Sequence, residues 1–177
     1  QTSSGLTGLT NASGEFSYQT GDTVSFRLGD VELGSVAASP VLTPVELVGA
    51  VSTADRRVIN LSRFLQSLDD DADPTNGLSV TKSARTALSG RSLNFNLPVS
   101  TFEITASVAV QAASGRSLVD ASTAINHLHG TLVERVIVTQ FAQENEIQQV
   151  VPAFVVDSTL AEAFSSNVSY AESTITS

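Results

Sequence analysis

The chain has no cysteine, no methionine and no tryptophan, and it holds one lysine, Lys82, among its 177 residues. Absence of cysteine excludes a disulfide framework, and at this length a hydrophobic core suffices for one domain without it. Loss of both sulfur residues also removes the common targets of oxidation, which suits an exposed, long-lived protein. With aromatic hydroxyls only at Tyr18 and Tyr170, a stacking platform for sugars is thin. No apolar run approaches the ~18 residues of a membrane span, and no charged-then-apolar leader is present in the chain as given. If the protein is exported, its leader has been removed or Gln1 is an internal position of a longer precursor. Basic residues are scarce: 9 Lys+Arg stand against 18 Asp+Glu, and the resulting net charge of −9 opposes nucleic acid and anionic membranes as partners. There is no phosphate loop, no dinucleotide fingerprint and no G-x-S-x-G elbow, so no catalytic residues are assigned and the chain reads as a non-enzyme.

What is present is 41% hydrophobic residues, enough to exclude disorder of the whole chain, on a background of Ser, Thr, Gly, Ala and Val. A surface made polar by hydroxyls in place of lysine has an extracellular character. The chain reads as a single domain, 1–177, in three parts. In 1–47, Glu15-Phe16-Ser17-Tyr18 and Val24-Ser25-Phe26-Arg27-Leu28 alternate with period two, which predicts half-buried strands of a β-meander with Phe16, Tyr18, Val24, Phe26 and Leu28 facing one core. In 48–93, a helical insert with an acidic loop, Val58, Leu61, Phe64, Leu65 and Leu68 recur at three and four and predict an amphipathic helix. Just before it, Thr43-Pro44-Val45-Glu46 is a capping-box pattern, and 81–89 predicts a short helix stopped by Gly90.

In 94–177, residues 102–105 and 108–110 read as strand. Residues 120–136 read as a helix capped by Asp120 or Ser122 and weakened at Gly130. Residues 136–138 and 150–156 read again as strand, the last demoted to an edge by Pro152. "SGRSL" occurs at 89–93 and 114–118, but the flanks differ and the recurrence reads as a coincidence of composition. The fold class expected from these patterns is α+β and β-led, an antiparallel β-sandwich or meander with a few short helices.

The segment "GLTNASGEFSYQTGDTVSFRLGDVELG" resembles the front module of many bacterial surface lipoproteins and adhesin-like secreted proteins, itself similar to carboxypeptidase-regulatory-like β domains. The resemblance continues through "LTPVEL" and "VINLSRFLQSLDDDADPTNGLSV" and more faintly through "STAINHLHGTL". It implies an extracellular or cell-surface location, a structural or adhesive role, and no catalytic residue to carry over. It also implies one further strand upstream, which the C-terminal "NVSYAESTITS" resembles, with Val168, Ser169 and Tyr170 in the expected order. That tail either completes its own sheet or adds to the sheet of a neighbour and makes a homopolymer, a fibre or pilus-like array; a flexible tail is the third possibility. A monomeric adhesin or polysaccharide-binding module is the alternative function.

"SLDDDADPTNGLSV", residues 67–80, is the most acidic stretch. Asp69, Asp71 and Asp73 lie at alternate positions and Asn76 follows, the spacing with which a loop wraps a hard cation, so calcium is the one cofactor considered. Pro74 and Val80 stand where an EF-hand requires Gly and a bidentate Glu, which excludes that loop type. The other reading is a solvated helix corner that Pro74 terminates. Against it, carboxylates at a helix C-terminus oppose the macrodipole and repel one another. His127 and His129 are two apart and cannot chelate from one helix face. The N-x-S triplets at Asn11, Asn60 and Asn167 match a glycosylation sequon.

Overall fold

A computed structural model describes residues 1–144. In chain order they form β1 (Thr23–Leu28), β2 (Val31–Ala37), α1 (Pro44–Leu47), α2 (Arg56–Ser67), a 3-10 turn (Pro74–Asn76), α3 (Lys82–Ala87), α4 (Val99–Ser114) and α5 (Ala121–Glu144). The β-led expectation is overturned. Among the described residues there is one sheet of two antiparallel strands and five α-helices, so no sandwich is built and helices carry the core. The packing described below lies within Gln1–Ile137.

The core forms around α2. Asp55 caps its N-terminus by accepting the Arg57 backbone N–H, and the expected stripe Val58, Leu61, Phe64 and Leu68 is buried. Yet Asn60, Ser62, Arg63, Gln66 and Ser67 are buried as well, so the helix is enclosed on nearly every side. An enclosed helix would ordinarily be apolar all round, because a buried polar group without a partner is costly. Here Asn60, Arg63, Gln66 and Ser67 reach main-chain groups of the segments that follow, whereas the Ser62 hydroxyl, Asn60 Oδ1 and Arg63 Nη1 have no partner among the described residues. The Asn60 amide donates to the carbonyls of Phe95 and Leu97, each at 2.9 Å. Arg63 Nε donates to Val119 O at 2.6 Å, and Gln66 Nε2 to Ala124 O at 3.0 Å. The Ser67 hydroxyl accepts the Val119 N–H at 2.8 Å. By these bonds α2 fastens the connections before α4 and α5, which have no regular ladder of their own, and the first turn of α5 itself.

The segments at 102–105 and 108–110, expected as strand, belong to α4. Phe102, Ala106, Ala109 and Val110 are its buried residues, spaced by four, three and one as a helix requires. The alternation Phe102, Ile104 imitated a strand, but Ile104 is 73% exposed and faces away from the core. Residues 136–138, also expected as strand, continue α5, which runs through Gly130 without a break. Residues 150–156 and the tail residues Val168, Ser169 and Tyr170 lie outside the described residues.

The hairpin β1-β2 is the surviving part of the meander. Of the two alternating runs only the second is strand; Phe16 and Tyr18 lie in irregular chain. Their rings nevertheless join the predicted face, Phe16 meeting Phe26 edge-on at 5.2 Å and Tyr18 lying 5.6 Å from Phe16. Two glycines dock the hairpin. A Cβ on Gly29, in the turn at φ 57°, would lie 2.5 Å from the Arg85 carbonyl at the end of α3. One on Gly34, at φ 151°, would lie 2.4 Å from the Leu47 carbonyl of α1. Only glycine permits both approaches. Val31 and Leu33 thereby enter the cluster of Leu61, Phe64, Leu88, Phe95 and Phe102.

Candidate functional site

The acidic loop leaves α2 at Leu68 and is pinned where it returns: Asp70 N donates to Ser79 O, and Ser79 N donates to Asp69 Oδ1, both at 2.8 Å. Within that closure the four expected ligands separate. Asp69 is wholly buried, and its Oδ2 has no hydrogen-bond partner. Asp71 is exposed; its Oδ1 accepts the Asp73 N–H at 2.9 Å and its Oδ2 accepts the Asn76 amide at 2.7 Å. The Asn76 amide, followed by the Asp73 N–H, holds the Asp71 carboxyl below its ordinary value. Asp73 turns away: its Oδ1 accepts from the Thr75 N–H at 3.1 Å and the Thr75 hydroxyl at 2.5 Å, capping the 3-10 turn. The structure thus joins Asp71 to Asn76, uses Asp69 to close the loop on Ser79 and assigns Asp73 to a local cap.

Backbone geometry supports a shaped loop. Ala72 sits at φ 62°, the one non-glycine residue with positive φ among the described residues, a conformation that is strained for an L side chain. On the other side the Arg116 guanidinium donates to the main-chain carbonyls of Asp69 and Asp70. Arg116 belongs to the second copy of a pentapeptide that the sequence repeats. Both copies of "SGRSL" end a helix, α3 and α4, with the glycine in the left-handed region at φ 71° for Gly90 and φ 69° for Gly115. In both, the arginine returns to carbonyls, Arg91 to Ala87 O at 3.0 Å and Arg116 to the acidic loop. Leu93 and Leu118, the last residues of the two copies, pack against the core. The two copies therefore both follow a helix, but only Gly115 is itself a C-cap, α3 being capped by Leu88 before Gly90.

A second candidate is the sheet edge. Beside β1 the N-terminus already forms an isolated antiparallel bridge: Thr2 bridges Val24, and the Gln1 carbonyl accepts the Ser25 N–H at 2.8 Å. An Asp22 knot holds this terminus in place. The Asp22 carboxylate accepts from the Ser3 hydroxyl at 2.9 Å, the Ser4 N–H at 2.9 Å, the Ser4 hydroxyl at 2.7 Å and the Gln19 N–H at 2.8 Å. The Gln19 N–H, followed by the Ser4 hydroxyl, lowers its pKa from 3.8 to about 2. The outer edge of β2 is different. Ser25↔Ser35 and Thr23↔Ala37 alternate with Val24↔Val36 in the ladder, so Ser35 and Ala37 turn their N–H and C=O groups outward. Both residues are exposed, and among the described residues nothing pairs with those groups.

The remaining candidates resolve into structural roles. His129 Nε2 lies 2.6 Å from the Thr53 hydroxyl, tying α5 to the segment before α2. Asn60 is buried, which closes its sequon to glycosylation in the folded chain, whereas Asn11 is exposed and Asn167 lies outside the described residues. A shallow, open depression of about 420 Å³ is lined by Asp55, Arg56, Arg57 and Asn96. Its polar groups are already engaged: Arg57 Nη2 meets Asp55 Oδ2 at 2.6 Å as an ion pair, and Arg56 donates to the neutral Asn96 side-chain oxygen at 2.9 Å. Among the described residues no helix is long and apolar enough to cross a membrane, and no group of three or more His, Cys, Asp or Glu side chains gathers around one point. Compared with protein-family models, with curated proteins and with solved structures, the chain matches none.

Proposed function

We propose that the chain is a bacterial structural module of the extracellular space or cell surface, which joins to copies of itself when a strand from one molecule adds to the β2 edge of the next. The observation that carries this reading is the exposed pair Ser35 and Ala37, whose outward main-chain groups have no partner among the described residues. A two-stranded sheet is marginal by itself, and an edge left open at Ser35 and Ala37 favours an added strand. The composition adds support, since this edge carries hydroxyl and methyl side chains and none of the lysines that block strand pairing elsewhere. The assigned donor is the segment holding Val168, Ser169 and Tyr170, whose pattern resembles the strand that this kind of front module carries upstream. Donation moves from the β1 flank to the β2 edge, because residues 1–3 already occupy β1 beside Thr23 and Ser25.

The test is the size distribution of the full chain in sedimentation, alongside Ala37→Pro and a chain lacking residues 167–177. Ala37→Pro removes an outward N–H and spares the ladder to β1, so it leaves the fold intact and gives monomers. Deletion of the tail gives monomers too. Assemblies of unchanged size in either variant, or a monomeric parent at every concentration, refute strand donation.

A further inference from the structure

Asn76 is the one asparagine in the sequence that a glycine follows. Both residues are exposed in the outer lobe of the acidic loop, beyond the closure at Ser79. That lobe is lightly held: Asn76 N donates to Asp73 O and Gly77 N to Pro74 O, each at 3.3 Å, which is long for an N–H···O bond. Exposed main-chain bonds of this length open at little cost while the shorter Asp69 and Asp70 bonds to Ser79 stay made. Gly77, at φ 103°, has nothing within 4 Å of the place a Cβ would take, so its nitrogen is open to approach by the Asn76 side chain. One contact restrains that side chain, the donation of Nδ2 to Asp71 Oδ2 at 2.7 Å.

We infer that position 76 is a site of self-modification: the Gly77 main-chain nitrogen displaces the Asn76 side-chain amide, and the chain passes through a cyclic imide to aspartate and isoaspartate. Hydroxide takes the Gly77 N–H proton, the nitrogen forms a bond to Asn76 Cγ, and the Cγ–Nδ2 bond breaks as ammonia departs with a proton from water. One water then opens the imide. Attack at Cγ restores the main chain with a carboxylate on the side chain, whereas attack at the main-chain carbonyl routes the chain through the side chain. Neither oxidant nor reductant is needed. Asp71 sets both the pace and the consequence. Its carboxylate holds the amide until the turn opens, and after conversion it faces a second carboxylate where it had a donor, so the lobe 71–77 is pushed apart. In the isoaspartate form the main chain is also longer by a methylene, which takes the Gly77 N–H out of register with Pro74 O. Without cysteine or methionine the common targets of oxidation are missing, and this pair is where the chain ages covalently. The inference goes beyond strand donation and is independent of it, because the loop and the β2 edge share no residue.

The experiment is prolonged incubation of the full chain at neutral and at mildly alkaline pH in water labelled with heavy oxygen, followed by peptide mapping with mass spectrometry and enzymatic methylation of isoaspartate. The expected result is an acid at position 76, carrying oxygen from the solvent, partly in the isoaspartate form, and appearing faster at the higher pH. Asp71→Ala raises the rate by a factor of about 2–10, the weight of one exposed hydrogen bond. Gly77→Val, whose branched side chain screens the nitrogen, suppresses it. Asn76 left intact in the folded chain at both pH values overturns the inference. So do equal conversion at the other asparagines, an acid at 76 without solvent oxygen, an Asp71→Ala rate equal to the parent's, and a Gly77→Val rate equal to the parent's.

Discussion

Asn60 offers the sharpest test of the claim that α2 holds the fold by polar side chains as much as by apolar ones. It is wholly buried, and its amide donates to the carbonyls of Phe95 and Leu97, which end the segment leading into α4. Asn60→Leu keeps the volume and adds apolar surface but leaves both carbonyls without a donor. A buried main-chain acceptor stripped of its partner costs ~1–3 kcal/mol. Two of them, less the gain from the leucine side chain, give a loss of about 2–4 kcal/mol. For a chain of this length that lowers the melting midpoint by ~4–16 °C. Asn60→Asp is worse at neutral pH, since a carboxylate then faces two carbonyl oxygens, and it recovers part of the loss in acid, where a protonated carboxyl donates once. Urea denaturation followed by circular dichroism measures both variants. An Asn60→Leu midpoint within experimental error of the parent, with an unchanged denaturant slope, refutes the argument. Equal loss for Asp at neutral and acid pH refutes the electrostatic part of it.

Two further outcomes follow from the hairpin. Gly34→Val places a branched side chain where even a Cβ would lie 2.4 Å from the Leu47 carbonyl, so it separates β2 from α1 and costs several kcal/mol; Gly14→Ala, at a glycine with open space around it, costs little by comparison, as paired melts will register. Asp22 has a pKa lowered to about 2 by the Gln19 N–H and the Ser4 hydroxyl, so its contribution is complete above the ordinary carboxylate range and is lost as pH falls from about 4 toward 2. Asp22→Asn should flatten the stability profile across that window, and a mutant profile parallel to the parent's excludes the knot as a source of acid sensitivity.

Local signals in the sequence agree with the structure where chain neighbours set the outcome. The spacing of Val58, Leu61, Phe64 and Leu68 marked α2, Thr43 and Glu46 form the capping box before α1, and Thr81 caps α3 by accepting the Ala84 N–H at 3.0 Å. Strand expectations failed where β-branched and aromatic residues alternated by chance. Phe102 and Ile104 carry that alternation, but Phe102 is buried against Phe95, seven residues back, on a helix that packs on α2 from much earlier in the chain, while Ile104 faces away. The acidic loop was half legible. Its spacing nominated Asp69, Asp71, Asp73 and Asn76 alike, yet nothing in the spacing distinguished the buried Asp69 from Asp73, which the 3-10 turn claims for its own cap.

By itself the sequence determined the small hydroxyl-rich surface, the acidic balance, the central helix and the stops at which helices end, because each depends on composition or on residues within one or two turns. Tertiary structure alone decided that the chain is helix-led, that Asn60, Arg63, Gln66 and Ser67 serve as buried fasteners, and that one carboxylate of four lost its water. Burial is a property of what arrives from elsewhere in the chain, and periodicity along one segment carries no record of it.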